Sequence, residues 1–165
     1  TCRVGAWGHS GDFGELSPVP EDALARPLRV FTRNYGVYAT CDQMLYKETA
    51  EEKNGQGLSA FCQFGWTPSD RNEATRYFGG GLTYAGPLPG RDDDTCGIFV
   101  GHTDLSKRLK ATAGLTRETV IEATYSAQIT KFMRIQPDVQ YFIRPGGDAN
   151  VRNATVVGVR FEVRF

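Results

Sequence analysis

The sequence predicts an all-β protein of about eight antiparallel strands joined up-and-down. Three observations predict it. Apolar residues recur at every second position in long stretches. Glycine is abundant, at 19 residues, and aromatics reach 12%, a composition that suits twisted sheets and tight turns. The stretches between the alternating segments are dense in Pro, Gly, Asp and Asn, the residues that make turns.

The last ten residues, VVGVRFEVRF, show the pattern most clearly. Val157, Val159, Phe161, Val163 and Phe165 are apolar, and Gly158, Arg160, Glu162 and Arg164 lie between them. A strand side chain alternates between two faces, so this segment has one greasy face and one charged face. RIQPDVQYFIR repeats the pattern, with Ile135, Pro137, Val139, Tyr141 and Ile143 opposite Gln136, Asp138, Gln140, Phe142 and Arg144. In TVIEATYSAQIT, Ile121, Ala123, Tyr125, Ala127 and Ile129 alternate with Glu122, Thr124, Ser126 and Gln128. In LSAFCQFGW, Leu58, Ala60, Cys62, Phe64 and Trp66 alternate with Ser59, Phe61, Gln63 and Gly65. Weaker alternation over Val4–His9, Tyr35–Tyr46, Arg76–Tyr84 and Thr95–His102 brings the total to eight. A single helical turn is expected at Pro20–Ala25 inside the long connection Gly11–Arg33. Leu105–Arg117 reads as a second long connection, and Thr130–Arg134 as a tight turn.

A chain of 165 residues is expected to form one domain. Its 19 basic and 19 acidic residues cancel, so no nucleic acid or anionic surface is expected as partner. No apolar run approaches the ~18 residues of a membrane helix. The first residue is Thr, and no signal peptide precedes it, so a mature, cut or incomplete N-terminus is expected. Alternation alone leaves two folds open. A soluble barrel or sandwich would hide its apolar face inside. A membrane barrel would turn that face to lipid. The polar face argues for the second and leaves the first open. It carries Arg160, Glu162, Arg164, Asp138, Gln140, Glu122 and Gln128 among small residues and almost no lysine, which exposed soluble edges commonly use. The apolar faces also end in aromatics such as Phe64, Trp66, Tyr84 and Phe165.

Longer motifs then carry a resemblance. PGRDDD, ETVIEATY, ITKFMRIQPDVQYFIRPGG and VVGVRFEVRF, with NYGVYATCDQMLYK and VGAWGHSGDF upstream, closely resemble the carbohydrate-selective porin family of the OprB type. The similarity runs over nearly the whole chain. It implies an antiparallel transmembrane β-barrel in the bacterial outer membrane, with these eight strands forming the C-terminal half of a 16-stranded porin and the N-terminal half absent. It implies passive diffusion of small sugars such as glucose, with no cofactor and no catalysis. The implied partners are small carbohydrates, outer-membrane lipid and the barrel assembly machinery, and a homo-oligomer is compatible with it. A complete eight-stranded barrel with a filled interior and a structural or adhesive role is the alternative; a barrel enzyme is a third reading, and no nucleophile–base cluster supports it.

The residues expected to face the sugar path are Arg144, Arg160, Glu162, Arg164, Asp138, Gln140 and Glu122, since charged and amide groups bond sugar hydroxyls and set the field in a lumen. The resemblance further implies that Phe165, Val163 and Phe161 form the C-terminal signal read during assembly, and an amphipathic last strand suits pairing by strand addition. With a periplasmic C-terminus, Gly11–Arg33, Thr67–Glu73, Leu105–Arg117 and Arg144–Asn153 would be extracellular, and Lys47–Gly57, Gly86–Asp94 and Thr130–Arg134 periplasmic. No metal site is expected. The acids of RDDD, Arg91–Asp94, read as a polar turn balanced by Arg91. The glycines of FGGGL, Phe78–Leu82, read as close approach or room at the wall. The four cysteines form no metal-binding spacing. A Cys41–Cys62 disulfide is the pairing considered, against small apolar filling.

Overall fold

The computed structural model describes residues 1–16, 27–48 and 55–165. Its strands in chain order are β1 (Cys2–His9), β2 (Phe13–Gly14), β3 (Val30–Phe31), β4 (Asn34–Lys47), β5 (Gly57–Trp66), β6 (Ala74–Ala85), β7 (Thr95–Leu105), β8 (Arg117–Thr130), β9 (Met133–Ile143) and β10 (Ala154–Val163); a helix, α1 (Lys107–Ala113), lies between β7 and β8. Eight of the strands form one antiparallel sheet in the order β1-β4-β5-β6-β7-β8-β9-β10, and β2 pairs with β3 apart from it. Every neighbour in the large sheet is the next long strand in sequence. The eight long strands expected from alternation are therefore all present; six keep the expected bounds or extend them by up to three residues, while β9 and β10 begin and end one and two residues earlier than expected, respectively. The expected turn at Pro20–Ala25 lies outside the described residues.

The sheet is open. Among the described residues β1 pairs with β4 alone and β10 with β9 alone. A complete eight-stranded barrel needs β1 to meet β10, so the small closed barrel considered from the sequence does not form.

Register puts the two chemistries on separate faces. Ala60, Leu82, Ile98, Ala123, Val139 and Val157 make an unbroken row across β5 to β10. One residue along each strand, the other face carries Phe61, Gly81, Phe99, Glu122, Gln140 and Val156 in a parallel row. Among the described residues no hydrophobic side chain is buried. Val157 is 72% exposed, Val159 54% and Phe161 68%. A water-soluble domain of this size holds a dry core, because burial of apolar surface is what offsets chain entropy. Here the greasy face has nothing packed on it.

Besides the β2–β3 ladder and a 3-10 turn at Pro145–Gly147, two features were not expected from the sequence. The first is α1, inside what reads as a loop. Ser106 caps it by accepting a bond from the Arg108 amide, and Gly114 ends it in the left-handed region at φ 72°, a conformation glycine adopts without Cβ strain. The second is the disulfide. Cys2 bonds Cys41, in place of the Cys41–Cys62 pairing. Cys41 stands opposite both cysteines, so position alone does not choose. Asp42 and Thr1 exchange their backbone hydrogen bonds across β1 and β4, which makes Cys2–Cys41 the non-hydrogen-bonded pair. In antiparallel sheets such pairs lie closer, near 4.5 Å between Cα atoms against about 5.5 Å for hydrogen-bonded ones. Cys41 directs its own amide and carbonyl toward Cys62, on the wider side. Cys62 is a free, exposed thiol and Cys96 a free, half-buried one.

Candidate functional site: the polar face and its rims

The longer connections gather at one end of the sheet and are tied together there. Glu15, after β2, is 6% exposed; its Oε1 lies 2.9 Å from Arg108 Nη1 in α1, and its Oε2 accepts from the Arg29 amide at 3.0 Å. Arg71 stacks its guanidinium 3.7 Å above the Phe31 ring and lies 2.8 Å from Asp70 Oδ1. The hydrogen bond and charge of Arg71 hold the Asp70 carboxyl below its ordinary value, against a smaller opposing effect of burial. Asn34 and Asn72 exchange amide bonds of 2.8 and 3.0 Å. These contacts lock the connection before β4, the β5–β6 turn and α1 into one rim.

The opposite rim is organised by one carboxylate. Asp94 ends the β6–β7 turn and is 1% exposed. Tyr125 O–H donates to its Oδ2 at 2.5 Å, Arg91 Nε to the same oxygen at 2.7 Å, and the Gln128 amide to Oδ1 at 2.9 Å. Burial of Asp94 opposes its ionisation, but these three donors outweigh it and hold the carboxyl below the ordinary range. The RDDD motif is thus the polar turn expected, with Asp94 fastening it to β8. Among the described residues no His, Cys, Asp and Glu cluster is placed to hold a metal.

Between the rims, the polar face divides the expected site residues into groups. Glu122 and Gln140 are direct cross-strand partners, and Gln140 Nε2 donates to Glu122 Oε2 at 3.2 Å. Asp138 is one row away, partnered by Gly158; its carboxylate occupies the space that a Cβ at Gly158 would need, 2.7 Å from Oδ1. Arg160 faces Gln136, and Glu162 faces Arg134. Glu162 Oε1 lies 2.6 Å from Arg164 Nε, with Arg164 just past the end of β10. Arg144 is not on the wall. It follows β9 at φ 55°, and its amide donates to Asn153 Oδ1 at 3.1 Å within the β9–β10 connection.

Phe161 and Val163, expected in the assembly signal, share the apolar face of β10 and are exposed, and Phe165 beyond the strand is fully exposed. Of the histidines, His9 stands in register with Asn34 on the polar face. His102 contacts Thr119 Oγ1 at 2.8 Å and Asp104 at 3.4 Å near a strand end.

Aromatic side chains on the polar phase are what the sequence reading passed over. Phe61 and Phe99 stand in the same row as Glu122 and Gln140, with their rings 6.0 Å apart and 9° from parallel. Their signal was present. Each occupies a polar slot in an alternating strand, where an apolar ring needs a reason.

The family model of the carbohydrate-selective porins, OprB family, matches residues 1–165. Porin B of Pseudomonas aeruginosa is 24% identical over 172 residues, covering 93% of this chain and 37% of that protein. The high-pH structure of OprB from Pseudomonas putida superposes with a TM-score of 0.86 at 21% identity, over 98% of this chain and 44% of that one. The low-pH structure gives 0.60 at 18% identity, over 98% and 46%. The chain therefore spans less than half the length of these relatives, and the sheet described above has the fold of the corresponding part of theirs.

Proposed function

This chain belongs to the carbohydrate-selective porin family of the Gram-negative outer membrane, and on that premise we propose that it forms part of the wall of a water-filled pore through which small sugars such as glucose diffuse passively. The observation that carries the reading is the inversion of the sheet: a continuous exposed apolar face, a polar opposite face, and no buried hydrophobic side chain among the described residues. Hydrocarbon is the medium that such a face suits, and a closed barrel is the form in which strands cross it with every backbone group paired. The two edges, β1 and β10, each lack a second partner. Closure then requires further strands, which fits the C-terminal half of a sixteen-stranded barrel, with the whole of 1–165 as one part of that domain.

In this arrangement Glu122, Gln140, Asp138, Arg160 and Glu162 face the lumen. Arg164 lies at its periplasmic mouth and Arg144 at its extracellular one. Carboxylates and guanidinium groups there bond hydroxyls without a cofactor or an energy source, and no chemical conversion is involved. Phe161 and Val163 lie on one exposed face of an edge strand, with Phe165 exposed just beyond it, which suits recognition by strand addition during assembly. Homo-oligomerisation would use the lipid-facing side.

Liposome swelling tests the reading. The full-length porin carrying this chain is reconstituted and challenged with iso-osmotic glucose. Swelling above protein-free liposomes is expected; its absence removes the sugar-pore assignment.

A further inference from the structure

The Phe61–Phe99 pair marks more than a wall. The two rings come from β5 and β7, with Gly81 of β6 between them in the same row. A Cβ at Gly81 would fall 2.8 Å from Cε1 and Cζ of Phe61 and 2.3 Å from the Ile98 carbonyl oxygen. A Cβ at Gly101 would fall 3.0 Å from the Phe99 ring. Glycine at these positions thus leaves room for the Phe61 ring beside Gly81 and for the Phe99 ring beside Gly101. A concavity of about 310 Å³ opens beside them, lined by Phe61, Phe99, Gln63, Thr83, Glu122 and Thr124. That volume is at the lower end for small-ligand sites. Its chemistry is divided: two aromatic faces on one side, and amide, hydroxyl and carboxylate groups around them. Gln140 bonds Oε2 of Glu122, and among the described residues no hydrogen bond reaches Oε1, which is placed to accept one.

We propose that this concavity is a binding subsite for a neutral pyranose, which stacks an apolar C–H face on Phe61 and Phe99 while Glu122 and Gln63 bond its equatorial hydroxyls. The proposal rests on the porin reading and refines it, because it places a saturable station on a diffusion path. A pyranose is the ligand class that matches both halves of the site. Its ring C–H groups offer a flat apolar surface to an aromatic face, and its hydroxyls point outward to polar groups. An acyclic polyol offers hydroxyls without that surface. A purely apolar solute would leave the carboxylate unmatched.

The test is sugar block of ion current through the full-length porin in planar bilayers, alongside liposome swelling with glucose and with glycerol. The variants are the doubly substituted Phe61→Leu/Phe99→Leu, which keeps the bulk but removes the aromatic faces, and Glu122→Gln. Phe78→Leu on the apolar face is the control. The double variant is expected to raise the glucose concentration for half-block about tenfold, the scale of one lost apolar contact surface. Glycerol swelling and sugar-free conductance should hold to within about twofold, confirming assembly. Glu122→Gln should weaken glucose block severalfold, and Phe78→Leu should leave it unchanged. Unaltered glucose block in the double variant, with the wild type still blocked and swelling in glucose, overturns the subsite alone. A wild-type pore that neither swells in glucose nor is blocked by it overturns the subsite together with the porin reading.

Discussion

Replacing Val159 by arginine tests which medium the apolar face meets. β10 has ten residues, Ala154–Val163, and Val159 is the sixth. At ~3.3 Å per residue and a tilt of ~40°, ten residues cover a height of about 25 Å, the thickness of the apolar band of an outer-membrane barrel. Val159 therefore falls within a few ångströms of the bilayer midplane, where arginine on the lipid face costs about 2–4 kcal/mol. Val163, at the end of the strand, falls near the interface, where the same change costs about 0–1 kcal/mol. Arg160→Val alters the neighbouring residue on the opposite face and leaves the lipid contact intact. The assay is equilibrium folding of the full-length porin into lipid vesicles across a urea gradient, followed by fluorescence and by heat-modifiable migration on gels. The expected order of destabilisation is Val159→Arg well above Val163→Arg, with Arg160→Val smallest. On a soluble exposed sheet an arginine at Val159, already 54% exposed, would cost almost nothing. A neutral Val159→Arg, or an Arg160→Val that costs more, refutes the orientation.

Asp94→Ala removes the acceptor of three bonds and should destabilise the protein by about 2–3 kcal/mol by denaturant titration. The same carboxyl sits below its ordinary value, so its contribution is full above the unfolded-state value near pH 4 and is lost as pH falls through the lower folded value; the gap between wild type and Asp94→Asn should narrow over that acid range. Cys2→Ser opens a loop of sequence separation 39, worth about 4 kcal/mol in the chain-entropy model, and hydrogen exchange in β1 should rise selectively. Gly81→Val forces a Cβ against the Ile98 carbonyl and the Phe61 ring, and should lower folding yield by an amount corresponding to about 1–3 kcal/mol of overpacking, with glucose block weakened in whatever assembles.

Strand number, order and face were legible because alternation is a local code. Val157, Val159 and Phe161 reveal their side by phase, and a one-residue slip would move all of them to the wrong medium. Turn chemistry placed the connections, and Arg91 beside three acids anticipated the bonded turn at Asp94. What escaped the sequence is decided by geometry between distant segments. Cys41 has a cysteine on each side, and only the hydrogen-bonding phase of β1 against β4 selects Cys2. The helix at Lys107–Ala113 is seven residues long, too short to show periodicity or to stand without its cap. Arg144 continues the alternation of β9 on paper, yet its left-handed backbone ends the strand one residue earlier and carries it off the wall.

Phe61 and Phe99 show where phase stops being sufficient. By alternation they belong with Glu122 and Gln140, and the structure keeps them there. Their cost in water would select against them if the face were only a solvated lining, since smaller polar residues would serve as well. The glycines at 81 and 101 turn two misplaced rings into an arranged pair, because each ring occupies space that any Cβ would fill. A glycine-rich strand such as β6 is entropically expensive to order, and here its Gly81 leaves the Phe61 ring its space in the row that holds Glu122. Within FGGGL, read as room in the wall, Gly81 makes room for the Phe61 ring, and Gly101 of β7 does the same for Phe99; on the proposal above, the two rings serve a ligand that is apolar on its faces and polar at its edge.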